Sequence, residues 1–313
     1  MAFLEDFYHP KQLPQIDPNA SIANRKQNVN VFVNRSVAGL KMSAVSELRS
    51  VERGIEVPVC LVLLRRLFPI DATLLQQILE ALPGDWGARV DRVSDDAAKA
   101  HLVMMGRRFS IVCIEKPVPR QSFSQAFSRP NAADAHPLID SHQAHLIVTG
   151  ERIDESMEDA IEVAVGVHLL SAKIGGLGDP VAAFWTGSEQ LRDWQSFTTH
   201  ANVLISEAGE IRSENLPTRF WVSIQLTLSE DGIGGGTEGL KFFTDYEIDL
   251  TPVRWDMEDV AARLVGTVIY LFSAGPVLQD GETLGGNDVE KFRIRHSQNS
   301  AQMTLTHESL VKS

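Results

Sequence analysis

The chain has 313 residues, 43% apolar and 22% charged, with 29 Lys+Arg against 41 Asp+Glu and a formal net charge of −12. This composition excludes a disordered chain, a collagen and a disulfide scaffold, and at roughly 100–200 residues per domain the length suggests two domains or a duplicated one. With that acidic balance and no run of clustered Lys/Arg interleaved with aromatics, nucleic acid is not an expected partner.

Met1-Ala2-Phe3-Leu4-Glu5-Asp6 lacks a basic region followed by an apolar run, so no secretory signal is expected. The most apolar helical stretch, Val260–Ala274, contains Arg263 and is too short for a bilayer, so no membrane insertion is expected either. Residues 1–54 contain Pro10, Pro14 and Pro18 and one short alternation, Val29–Val33, and read as an extended N-terminal arm. From Val57 the pattern changes. Pro58–Leu64 is a near-continuous apolar run, as expected of a strand covered on both faces. Asp71 then caps a helix with Leu74, Leu75, Ile78, Leu79 and Leu82 at helical spacing, stopped by Pro83-Gly84. Strands at Arg89–Val93, His101–Met105 and Ser110–Ile114 complete a β-α-β-β-β beginning.

The strand-then-helix step recurs twice. Ala144–Val148 is followed by the capping box Ser156-Met157-Glu158-Asp159 and a helix ending at Gly175-Gly176. Tyr246–Leu250 is followed by Asp256-Met257-Glu258-Asp259 and a helix ending at Gly275-Pro276. An ungapped alignment of the two helices matches Met157, Glu158, Asp159, Val165 and Gly166 with Met257, Glu258, Asp259, Val265 and Gly266, which hints at internal duplication. Both helices are apolar around most of their circumference in their second halves, from Val163 to Ile174 and from Leu264 to Phe272, which suggests burial on more than one side. Between them, Pro180–Trp185 reads as a strand, Ser188–Phe197 as a short helix and Phe220–Leu228 as a long strand. A hairpin at Gly232–Gly236 then turns back into Leu240–Leu250. Lys291–Arg295 and Ala301–Thr306 read as two edge strands. The sum is an α+β fold of mixed, mostly antiparallel sheets with covering helices, suggesting two duplicated sheet-and-helix units. The expected division is the arm at 1–54, a first α+β unit at 55–140 and a second at 141–313, the two units being compatible with one continuous domain.

Cys60 and Cys113 sit in apolar runs and read as reduced core thiols, pointing to the cytoplasm and making Asn34-Arg35-Ser36 a coincidental glycosylation match. Asp140, His142 and His145 invite a metal or acid–base reading. If a strand already includes His142, however, positions 142 and 145 point to opposite sheet faces, and ordinary loop and core histidines explain them better. His168, inside an apolar helix, reads as a core histidine. The glycine clusters at 175–178 and 232–236 are not placed between a strand and a following helix, as a phosphate loop requires. No nucleophile elbow, H-E-x-x-H or C-x-x-C occurs. Glu158/Asp159 and Glu258/Asp259 suit helix first turns, whereas Glu247/Asp249 share one strand face. No cofactor is expected.

Four segments carry a resemblance: Trp185–Ser188, Leu216–Val222, Thr237–Ile248 and Asp280–Gly285, with the G-L-x-x-F-x-x-x-E-I pattern at Gly239–Ile248 the strongest piece. Over roughly Val57 to Arg295 the chain resembles a bacterial family of unknown function, domain of unknown function four-two-six-one. The resemblance implies a bacterial, cytoplasmic α+β protein, sometimes encoded near secretion or toxin loci, and brings no catalytic residue with it. Three classes of function stay open. The first is a non-enzymatic, acidic protein-interaction protein, of accessory or immunity type, that binds a secreted effector or secretion component. The second is an enzyme whose site is assembled from distant residues such as Asp140, His142, His145 and Glu247. The third is a small-ligand module using a cleft between two units. Candidate binding residues are Asp140, His142, His145, Trp185, Trp221 and Glu247.

Overall fold

A computed structural model describes residues 57–127, 132–206, 209–285, 291–297 and 301–308. The expected arm, with its Val29–Val33 alternation, lies outside these residues. Two compact units are present, dividing between Ser223 and Ile224. A boundary after Asp140 would cut through the first sheet, because the strand that follows it is hydrogen-bonded on both sides to earlier strands.

The first unit runs β1 (Val59–Leu64), α1 (Ala72–Glu80), β2 (Arg89–Val93), β3 (Lys99–Met104), β4 (Arg107–Ile114), α2 (Ser124–Phe127), α3 (Ala132–Ser141), β5 (Ala144–Gly150), α4 (Met157–Gly175), β6 (Pro180–Trp185), β7 (Gln190–Asp193), α5 (Trp194–Ala201) and α6 (Thr218–Trp221). Its seven strands are ordered β2-β3-β4-β5-β1-β6-β7, with every neighbouring pair antiparallel. All six residues of β1 are buried because both sheet faces are covered. Leu61 and Leu63 join a cluster with Phe123 and Ile139 from the α2–α3 side. Val62 points the other way, toward Gly175 of α4. Asp71 caps α1 as its position requires, Oδ1 accepting the Leu74 N–H at 2.7 Å. Segment 188–197 divides differently from the sequence expectation. Gln190–Asp193 is the edge strand β7, and the helix starts only after Asp193, whose carboxylate accepts the Ser196 N–H at 2.9 Å and caps it.

The second unit contains β8 (Ser223–Ser229), β9 (Gly232–Glu238), α7 (Lys241–Thr244), β10 (Glu247–Val253), α8 (Met257–Ala274), β11 (Thr283–Leu284), β12 (Lys291–His296) and β13 (Gln302–Glu308), in the order β11-β12-β13-β10-β9-β8. The start of the long strand expected at 220–228 is helical instead, as α6, and the glycine run is itself a strand rather than a turn. Gly235 of β9 pairs with Leu250, and a Cβ there would meet the Gln225 carbonyl and Leu264 of α8, so this strand needs glycine to let its neighbours approach. Neither β12 nor β13 is an edge strand: β12 lies between β11 and β13, and β13 lies between β12 and β10 and runs parallel to β10.

The two long helices differ in burial. In α4, 15 of 19 residues are buried. In α8, Val260, Leu264, Val268 and Leu271 form one buried face, while Ile269 is 47% exposed, so α8 is amphipathic and the expectation of burial on several sides holds only for α4. Among the described residues no helix is long and apolar enough to cross a membrane.

Candidate functional site

The histidine segment is built differently from the strand expected of it. Residues 132–141 form α3 and β5 starts at Ala144, so His142 occupies the joint between them and the strand-parity argument does not reach it. Both imidazoles bond to the connector after β4. His142 Nε2 accepts the Val118 N–H at 2.8 Å while its Nδ1–H donates to the Ile139 carbonyl, and Phe123 meets the ring edge-on. His145 Nδ1–H donates to the Lys116 carbonyl at 2.7 Å. Both rings are buried, and burial holds both below the usual imidazole pKa, so they are neutral staples tying the 116–118 backbone to β5 and the end of α3. Asp140 is exposed and pairs with Arg120, which also reaches His136 and lies 4.7 Å over the Phe127 ring. No group of three metal-ligating side chains is assembled among the described residues.

Trp185 and Trp221, expected at a binding surface, are core residues instead. They pack with Phe220, Phe197 and His168 in an aromatic cluster beside α4, Trp185 and Trp221 with centroids 5.8 Å apart and His168 stacked on Phe197 at 4.2 Å. A large ring gains most by leaving water, and these two have done so completely. His168 Nε2–H donates to the Phe197 carbonyl at 3.3 Å, and burial pushes the imidazole pKa down to about 3, which makes it a neutral core residue.

Glu247 belongs to the second unit and explains the strongest motif in the sequence. Gly239 takes φ +95°, turning the chain from β9 so that the amides of Gly239, Leu240 and Lys241 converge. The Glu247 carboxylate, carried back by β10, accepts Gly239 N–H at 2.7 Å and Lys241 N–H at 3.1 Å on one oxygen. The other oxygen accepts Leu240 N–H at 3.2 Å and the Thr237 hydroxyl at 2.6 Å. Thr237 Oγ1 in turn accepts the Ile248 N–H at 2.8 Å. Leu240, Phe243 and Ile248 are buried around this turn. The glycine, the three apolar residues and the glutamate of G-L-x-x-F-x-x-x-E-I are therefore one device, in which the carboxylate satisfies backbone donors that α7 leaves open. Burial raises the Glu247 pKa, opposed by the Thr237 hydroxyl and the three amides. Asp249, two residues on, is also raised by burial.

One cluster escaped the sequence reading. Asp159 is fully buried at the start of α4; Arg107 Nε donates to it at 2.7 Å, and Arg152 Nε lies 3.6 Å away. It also accepts the Ile153 N–H at 3.1 Å, while Arg107 pairs with Glu162 and donates to the Met105 carbonyl. Only half of the capping box forms: Ser156 Oγ accepts the Asp159 N–H at 3.1 Å, but the Asp159 carboxylate serves the arginines and the 153–154 backbone. Its aligned counterpart Asp259 is exposed, and Asp256 makes no side-chain cap at α8. The signal was present as an acidic third residue in a helix, but its partner Arg107 is 52 positions away and invisible to local pattern.

The site residues thus fall into self-contained groups: Asp140, His142 and His145 around one connector, Trp185 and Trp221 in one core, and Glu247 in the turn of the other unit. Comparisons with curated proteins and with solved structures find no match. The Trp185–Ser188 and Leu216–Val222 segments fall outside the one family match found. Residues 236–304, which hold the Gly239–Ile248 turn and the Asp280–Gly285 run, match the family described as Domain of unknown function (DUF4261).

Proposed function

We propose that this protein works by binding another protein rather than by catalysis: an acidic interaction protein of the bacterial cytoplasm, of accessory or immunity type, whose partner is a secreted effector or a secretion component. The observation that carries this reading is that each side chain the sequence offers for chemistry is already spent on the fold. His142 and His145 staple a connector, Asp140 pairs with Arg120, and the Glu247 carboxylate is taken up by four donors. A general acid or base must reach a substrate proton within hydrogen-bond range, and these groups would have to break structural bonds to do so. The net charge of −12 suits a basic partner surface, which it would attract at long range. Cys60 and Cys113 are free thiols, as a reducing compartment would keep them.

The test is purification of the tagged protein from its native cells, with identification of co-eluting protein, followed by co-expression with the neighbouring gene product it captures. A stoichiometric complex and rescue of cells from that product support the reading. Absence of both a complex and rescue overturns it.

A further inference from the structure

We propose that the connector 116–123, between β4 and α2, is an acid-released latch: protonation of His142 detaches it from the end of α3 and uncovers the apolar sheet face beneath it, while the rest of the first unit stays folded. The latch does not depend on the partner-binding reading above. Its basis is the direction of one hydrogen bond. A backbone N–H can only donate, so His142 Nε2, 2.8 Å from the Val118 nitrogen, is the unprotonated acceptor. The Ile139 carbonyl takes the proton of Nδ1, which fixes the neutral tautomer. A second proton at Nε2 would set two donors against each other, and the Val118 bond cannot survive it. His145 is the internal contrast: its Nδ1–H donates to the Lys116 carbonyl at 2.7 Å, a bond that an imidazolium makes equally well.

The sequence leaves the connector little else to hold on with. In Lys116-Pro117-Val118-Pro119-Arg120 the prolines have no N–H, so Val118 supplies the one backbone donor between Lys116 and Arg120, and His142 takes it. Both prolines are exposed, and Val118 is buried between them. Val118 and Phe123 pack with Leu61 and Leu63 of β1, Ile139 of α3 and Phe184 of β6, so release of the connector bares this cluster. Burial holds the latched imidazole below its ordinary pKa of 6.5, against the Ile139 carbonyl and the Asp140 charge, which favour the cation. Asp140 is itself paired with Arg120, which also reaches His136, and His145 on β5 acts against a second cation beside it. Glu115 and Lys116 are exposed to solvent. β1, β6 and α2 bring no charged side chain, and β7 meets the cluster with Leu191. With the latched pKa lowered, the latch is complete above about pH 6.5 and is lost as the pH falls below that value.

Hydrogen exchange of the full chain, read by mass spectrometry at about pH 7.5 and about pH 5 and corrected for intrinsic exchange rates, tests the latch. A released imidazole of ordinary pKa is almost wholly protonated at the lower pH, which favours opening by up to about thirtyfold. Peptides covering 118–123 should therefore lose protection by about tenfold or more, while β1, β5 and α4 keep theirs. His142→Gln, uncharged at both pH values, should remove this pH dependence, and His145→Gln should retain it. Equal protection of 118–123 at the two pH values, or a loss shared by β1, β5 and α4, overturns the proposal in the parent protein alone. An undiminished pH dependence in His142→Gln, or its disappearance in His145→Gln, overturns it as well.

Discussion

Replacement of Gly166 and Gly266 by alanine should have opposite effects, although an ungapped alignment of α4 and α8 places the two glycines at the same position. An alanine Cβ at Gly166 would lie 2.6 Å from Phe109 Cε1, closer still to Cζ, and 2.9 Å from Met104 Cε. Non-bonded carbons prefer about 3.5–4.0 Å, so the ring would have to retreat by about 1 Å. It has little room to move: Phe109 is fully buried, and the ring also abuts Gly150, its partner on β5, where a Cβ would stand 2.7 Å from Cε1. Overpacking of about 3 kcal/mol, offset by about 1 kcal/mol of better helix propensity, leaves a net loss of about 2 kcal/mol. At Gly266 nothing lies within 4 Å of the added carbon, so only the propensity gain remains, about 0.5–1 kcal/mol. With about 2–4 °C per kcal/mol for domains of this size, Gly166→Ala should melt about 4–8 °C lower and Gly266→Ala about 1–4 °C higher, followed by circular dichroism. A Gly166→Ala protein as stable as the parent, or a shift of the same sign in both, would refute the assignment of one glycine to tight packing and the other to an open helix face.

Glu247→Ala should destabilise by about 2–3 kcal/mol, because the Gly239, Leu240 and Lys241 amides lose their acceptor together; chemical denaturation with an unchanged midpoint would remove the capping role. For His168 the folded pKa of about 3 lies below the ordinary 6.5, so between those values the unfolded chain binds a proton that the folded one does not. Its stability contribution is therefore complete above about pH 6.5 and is lost as pH falls toward 3. His142, His145 and His200 are shifted in the same direction and steepen the slope. Urea midpoints between about pH 7 and pH 4 should fall less steeply in His168→Gln than in the parent, and parallel curves would contradict the burial of the neutral ring. Burial pushes the Cys60 thiol up to about 12 and Cys113 to about 11, so a thiol reagent at about pH 8 should label both only after denaturation. Rapid modification of Cys60 in the native protein would count against its place inside β1.

Local pattern by itself determined much of the secondary structure. The β1 run, the Asp71 cap, β2 and β6 within their stated limits, the Ser156 start of α4 and the strands near 291 and 301 all follow from periodicity and capping, which act over a few residues. It failed where the choice depends on distant neighbours. Gly232–Gly236 carries turn composition, yet β10 and Gln225 approach so closely that glycine makes it a strand. Phe220 and Trp221 carry strand composition, yet they close an aromatic cluster as a helical turn. The candidate site shows the same division. Residue type nominated Asp140, His142, His145 and Glu247, but whether a polar group is free for chemistry depends on what else bonds to it. The tertiary structure supplied those partners: the 116–118 backbone for the histidines, Arg120 for Asp140, and three amides and a hydroxyl for Glu247. Tertiary structure also decided that Asp159 meets two arginines while Asp259, in the same local sequence, faces solvent. Periodicity is a property of a short stretch of chain, whereas desolvation and charge pairing are properties of the space around a side chain, which residues far away in sequence fill.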